Sequence, residues 1–316
     1  MVQIDGSPFR WLGAGQPELT LVGTIDDASG EIPSLTLRPE EDLHGFTVAL
    51  RDLITTHGVP GVLYGDRTSI AVRNDDGWTV ADEFAGRQLP PHFGQMLEEL
   101  GIRYIAATSP EAKGRIERLW RTLQDRLAAE LALHGITTLE AAQAFLPDFI
   151  ARFNRRFGRP PRQREAAWQR PPRHLDRILA CRYTRTVNRD NTVSLYRQIL
   201  HLPPGPHRRS YHRCQVEVRE LLDGRLLVLH QGQVIAEQLP PAGPFTLIPR
   251  GTERARRENG ALRASRIDDR PEVRVPSRPK KTRRGQLTNI RRPSTRHPWK
   301  QPFVLNLPRI SVGTRG

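Results

Sequence analysis

S-P-E-A-K-G-R-I-E-R-L-W-R-T-L-Q-D-R-L, residues Ser109–Leu127, sets the carboxylate of Glu117 among basic and apolar positions of a helical pattern. Ile116, Leu119, Trp120, Leu123, Leu127 and Leu131 recur on one face of a 3.6-residue period. At about 100° per residue, Glu117 lies about 90° from the middle of that stripe, at the edge of a core-facing helix, with Arg121 and Gln124 in line with it. Two further acidic residues stand where partners are expected. Asp5 sits in the apolar, strand-like run Val2–Ser7, and Asp66 follows a second such run, Gly61–Gly65. Taken singly, each reads as a turn residue or a solvated helix position. Together they supply three hard oxygen donors from two strands and a helix. Such a set suits Mg²⁺ or Mn²⁺, and two such ions can activate an attacking oxygen and stabilise a leaving one.

Around these residues the pattern predicts an α/β order. Val2–Leu12, Leu19–Ile25 and Ile32–Leu37 read as strands, with the turn Asp26-Asp27-Ala28-Ser29-Gly30 between the second and third. Glu40–His57 has helical periodicity and ends at Gly58. Gly61–Tyr64 is a short buried strand, Asn74–Gly86 a polar loop, Phe93–Leu100 a helix and Tyr104–Ala107 a strand. The helices after Pro110 and over Thr138–Phe157 complete the first part. Three strands and then alternating helices and strands match a ribonuclease-H-like core over residues 1–157, a mixed five-stranded sheet with helices. In that fold the strands leading to Asp5 and Asp66 are central neighbours. Residues 158–180 read as a Pro- and Arg-rich linker, and 181–248 as five or six short strands forming a small all-β barrel. Residues 249–316 read as a basic tail that is disordered on its own.

Charge is distributed unevenly along the chain. Residues 1–110 carry 7 Lys/Arg against 16 Asp/Glu, residues 111–249 carry 23 against 13, and residues 250–316 carry 19 against 5, within a net charge of +15. A basic surface beside an acidic half suits a polyanionic substrate. The tail arginines read either as non-specific phosphate contacts or as a solvated extension. The sequence holds no apolar run of membrane-spanning length and no signal-peptide pattern at its start, so the expected compartment is cytoplasmic and no membrane partner is expected. Cys181 and Cys214 read as reduced core thiols rather than zinc or disulfide ligands.

Several motifs occur in order along most of the chain: I-D-G-S at Ile4–Ser7, G-T-I-D-D-A-S-G at Gly23–Gly30, Y-G-D-R at Tyr64–Arg67, the Ser109–Leu127 stretch, F-N-R-R-F at Phe153–Phe157 and H-P-W-K-Q-P-F at His297–Phe303. In these the chain resembles the catalytic and C-terminal part of a DDE transposase, in the retroviral-integrase-like superfamily. Within it, the bacterial insertion-sequence transposases of the ISNCY group are the most similar. The resemblance implies that Asp5, Asp66 and Glu117 are the catalytic carboxylates and hold two Mg²⁺ or Mn²⁺ ions. It also implies cleavage of transposon ends, strand transfer into target DNA by the freed 3′-hydroxyl, and a homo-oligomer on paired ends. Lys113, Arg115, Arg121 and Gln124 are the candidate DNA contacts; for Arg121 and Gln124, plain helix-surface solvation is the competing reading. Asp66 and Glu117 are 51 positions apart, against the 35 common in the superfamily, and the Asn74–Gly86 stretch can hold the excess. Relatives carry an N-terminal helix-turn-helix region, and Met1 precedes Asp5 by only four residues, so the chain is expected to be N-terminally truncated. Two alternatives stay open: a non-catalytic DNA-binding remnant and a ribonuclease H.

Overall fold

The structure, a computed structural model, describes residues 1–73, 77–78, 80–107, 114–163, 167–196, 198–205 and 208–250. Three strands open the chain: β1 (Val2–Phe9), β2 (Leu19–Asp26) and β3 (Ser34–Arg38). They are followed by α1 (Leu43–His57), the two-residue β4 (Val59–Pro60), β5 (Val62–Gly65), α2 (Val80–Ala85), α3 (His92–Glu99) and β6 (Arg103–Ala106). Two long helices come next, α4 (Gly114–Leu133) and α5 (Leu139–Phe157). The five long strands form one mixed sheet in the order β3-β2-β1-β5-β6, antiparallel across β1, β2 and β3 and parallel across β1, β5 and β6. This is the expected mixed five-stranded sheet. The Asn74–Gly86 stretch, expected as a loop, carries the short helix α2 in its described part.

Strand residues alternate between two layers. The even residues of β1, Val2 and Ile4, and Val22 of β2 join a core with Phe46, Leu50 and Leu53 of α1. The odd residues of β2, Leu19, Leu21 and Ile25, join a second core with Ile116, Leu123 and Phe149 of α4 and α5. Helices therefore cover both faces, which is why seven of the eight residues of β2 are buried rather than every second one. Asp42 caps α1 by accepting from the Gly45 amide at 2.8 Å and is itself held by Arg38 at 2.6 Å. Asn154 of α5 exchanges two 2.8 Å bonds with the backbone of Ile32, which ties that helix to the segment entering β3.

The second half of the described chain contains β7 (Trp168–Gln169), α6 (Leu175–Ile178), β8 (Ala180–Thr186), β9 (Thr192–Leu195), β10 (Gln198–His201), β11 (Gln215–Leu221), β12 (Leu226–His230) and β13 (Gln233–Gln238). These strands make a four-stranded antiparallel sheet, β13-β12-β11-β8, and a separate β9-β10 hairpin. Among the described residues no pairing closes them into a barrel. The stretch expected as a linker has docked elements: β7 pairs with β4, and Leu175 and Ile178 enter the same buried cluster as α1. Trp168, Leu175, Ile178 and Leu179 hold it there, a sparse signal that its prolines and arginines obscure. Cys181 is buried and Cys214 half-buried, both as free thiols.

Two histidines join the halves. His92 Nδ1 accepts from the Arg182 amide at 3.2 Å, and His44 Nδ1 accepts from the Leu247 amide at 3.0 Å. An accepting imidazole nitrogen must be neutral, and burial lowers both groups to about 4, with the charge of Arg182 acting in the same direction on His92 and that of Arg38 on His44. Because the folded value is depressed, the stabilisation is complete above the ordinary value near 6.5 and is lost as pH falls towards 4. Melting is therefore expected to be flat above pH 7 and to drop by roughly 5 °C per histidine at pH 5. His92→Gln should flatten that slope; melts of both chains at pH 7.5 and pH 5 check it, and equal slopes would sink the assignment.

Candidate active site

Asp5 and Asp66 come from adjacent parallel strands. The register pairs Val2 with Leu63 and Gln3 with Tyr64, an offset of 61 positions that, continued by two residues, puts Asp5 level with Asp66. Val2, Ile4 and Leu63 point to the α1 core, so Gln3 and Asp5 belong to the opposite face, under α4, while Asp66 directly follows β5. Neighbouring strands run about 4.8 Å apart, close enough for two carboxylates to serve one site. Tyr104 of β6 stands beside Asp66. Its hydroxyl donates to the Asp66 carbonyl at 2.6 Å. Burial raises its ionisation above the ordinary range, and the charges of Asp66 and then Asp5 push it further.

Gly65 makes this approach possible. A Cβ there would lie 2.5 Å from the Tyr104 hydroxyl oxygen and 3.1 Å from the Ile4 carbonyl oxygen. Gly65→Ala is expected to cost about 1–3 kcal/mol of stability and to displace Asp66. Gly65→Ala combined with Tyr104→Phe should recover most of the lost stability; thermal melts of the single and double variants decide it.

Helix α4 is registered on β1 by three hydrogen bonds. Gln3 Oε1 accepts from the Ile116 amide at 3.1 Å, Asp5 Oδ2 accepts from Trp120 Nε1 at 3.1 Å, and Gln124 Nε2 donates to Ser7 Oγ at 3.3 Å. Two strand residues rise about 6.7 Å and four helix residues about 6.0 Å, so positions 3, 5 and 7 keep step with 116, 120 and 124. Glu117 is half-buried in the first turn of α4, where the positive end of the helix dipole favours a carboxylate. It lies one turn before Trp120, whose indole holds Asp5. Among the described residues, no three acidic, histidine or cysteine side chains are grouped closely enough to hold an ion. Asp5 thus lies on β1 and Asp66 directly after the neighbouring β5, with Glu117 on the adjoining helix, and the three do not close into one group.

The candidate DNA contacts divide. Arg115 is paired with Asp27 at 2.8 Å, Gln124 is half-buried on Ser7, and Arg121 is exposed. Lys113 lies outside the described residues. Asp26 and Asp27 form the expected turn, with Asp26 accepting from the Ser29 amide and hydroxyl. Tyr104 and Trp120 escaped sequence reading because an aromatic in an apolar stripe reads as core. Nothing in the periodicity says that its polar atom meets a carboxylate.

No family model matches the chain. It is 34% identical over 326 residues to the y4bF protein of Sinorhizobium fredii, which bears a transposase name; the match covers 100% of this chain and 67% of that protein. The chain belongs to the transposase family. A second relative is the transposase for insertion sequence IS1202 of Streptococcus pneumoniae, 35% identical over 158 residues. This match covers 50% of this chain and 33% of that protein, so the chain spans two thirds of one relative's length and a third of the other's. Among solved structures, a chain of the simian T-cell lymphotropic virus intasome in complex with PP2A regulatory subunit B56 gamma is 18% identical, with a TM-score of 0.36. The overlap covers 55% of each chain. The HTLV-2 integrase catalytic core domain in complex with magnesium is 16% identical, with a TM-score of 0.33, over 45% of this chain and 78% of that one. Among the described residues no helix is long and apolar enough to cross a membrane.

Proposed function

We propose that this chain is a DDE-type polynucleotidyl transferase that cleaves transposon ends and transfers the freed strand into target DNA. The observation that carries the reading is the parallel pairing of β1 with β5, whose register, continued by two residues, would set Asp5 level with Asp66. Their hard oxygen donors fit a divalent cation, and Glu117, one turn from the residue that holds Asp5, is the proposed third ligand. Mg²⁺ or Mn²⁺, two ions in all, would supply activation of water or a 3′-hydroxyl and stabilisation of the leaving oxygen. The chain's own part would be to hold those carboxylates on the sheet and the adjoining helix, with Lys113, Arg115, Arg121 and Gln124 as the proposed phosphate contacts.

The reading takes residues 1–157 as a ribonuclease-H-like catalytic core and 181–248 as a small all-β module, with a basic tail beyond it. DNA is substrate and partner, the working form is a homo-oligomer on paired ends, and the compartment is the cytoplasm. Incubating the chain with Mg²⁺ and DNA carrying the element's own ends should yield cleaved ends and strand-transfer product. DNA binding without product would favour the non-catalytic remnant, and cleavage of an RNA–DNA hybrid alone would favour a ribonuclease H.

A further inference from the structure

We propose that Trp120 is a positioning residue for the Asp5 carboxylate, a role that rests on the metal-site reading above. Trp120 Nε1 donates to Asp5 Oδ2 at 3.1 Å from a side chain only 6% exposed. The ring has a seat prepared for it. Asp5 pairs across the sheet with Gly23, and a Cβ at Gly23 would lie 2.5 Å from Leu35 Cδ2 and 3.0 Å from Trp120 Cη2. The indole therefore lies in the space that any side chain beside Asp5 would take. Bonds one turn on either side, Gln3 with Ile116 and Ser7 with Gln124, prevent α4 from sliding along β1.

The choice of donor matters chemically. A lysine or arginine at this position would hold the carboxylate but would also compensate its charge and compete with a bound cation. An indole N–H restrains one oxygen and leaves the full negative charge for an ion. Apolar packing keeps the ring in one orientation, so the carboxylate need not be ordered when the ion arrives. Outer hydrogen bonds of this kind are typically worth 10–100-fold in metal affinity.

The test is Mn²⁺ binding to the full chain without DNA, followed by the electron paramagnetic resonance of free Mn²⁺, beside thermal melts. Trp120→Phe keeps an aromatic ring and removes the donor. Site-specific replacement of Trp120 by its benzothienyl analogue keeps the fused ring and exchanges only the N–H for sulfur, which guards against a packing defect. Both are expected to weaken Mn²⁺ binding about tenfold, with the benzothienyl chain melting as the wild type does. End cleavage should then recover as Mg²⁺ is raised, a shift in metal requirement that a purely structural role would not give. Asp5→Asn separates the two layers. If it leaves Mn²⁺ binding unchanged, the metal site is wrong and the role of Trp120 falls with it. If it abolishes binding while both Trp120 replacements bind Mn²⁺ like the wild type, the role of Trp120 alone is overturned.

Discussion

Asp66→Asn is expected to leave folding and DNA binding near wild type and to slow end cleavage in Mg²⁺ by about a thousandfold or more. The substitution keeps the shape of the side chain and removes one full negative charge. Metal-borne charge stabilisation is worth several kcal/mol, and each 1.36 kcal/mol is tenfold in rate, so losing one ligand on the order of 4 kcal/mol gives that figure. The backbone bond from Tyr104 to the Asp66 carbonyl is untouched by the change, which is why the fold should tolerate it. Glu117→Gln is expected to match Asp66→Asn in cleavage if Glu117 completes the site. The measurement is single-turnover cleavage of end DNA by the wild type and the two variants. Cleavage by Asp66→Asn within tenfold of wild type would remove Asp66 from the chemistry. A large loss for Asp66→Asn with a normal Glu117→Gln would leave a two-carboxylate site.

Legibility followed the strength of the local signal. The ends of β2 and α5 lay within a residue of expectation because period and capping agree there: Thr138, expected as the first residue of α5, is its N-cap, and Gly58 ends α1 as expected. Asp5 and Asp66 could be proposed as neighbours because one lies in an apolar run and the other follows one, and β1 and β5, the strands beside them, are paired in parallel. What could not be read is what a side chain's second functional atom does. Trp120 belongs to the apolar stripe by spacing, and only the fold shows its N–H on Asp5. Gln124, in line with Glu117 on the helix, seemed free to reach DNA; its partner Ser7 is 117 positions away and invisible to any local pattern. Residues 158–180 misled through composition, since proline and arginine are common in both linkers and docked segments, and only the pairing of β7 with β4 distinguishes them.

The same limit hides a buried ion pair in the second half, and it yields the second large expected effect. Glu220 on β11 is 1% exposed, and Arg250 lies past the expected edge of the β module. Arg250 Nε donates to both Glu220 oxygens, at 3.0 and 2.9 Å, while Tyr183 accepts from the Arg250 amide at 3.0 Å and donates to Glu220 at 3.4 Å. Burial and the neighbouring acidic groups hold the Tyr183 hydroxyl in its neutral form, which this double role requires. Removing the arginine strands a carboxylate with almost no water, which costs about 3–5 kcal/mol. The lower figure is expected for Arg250→Met, because a fifth of the arginine side chain still meets solvent and the isolated pair is partly screened. That is a fall of roughly 10 °C in melting temperature. Replacing both charges at once, Glu220→Leu with Arg250→Met, should return to within about 1–2 kcal/mol of wild type, since no charge is left buried alone. A single Arg250→Met variant that melts like the wild type would show that Arg250 does not hold Glu220 in solution. A double variant no better than the single one would trace the loss to packing rather than to charge.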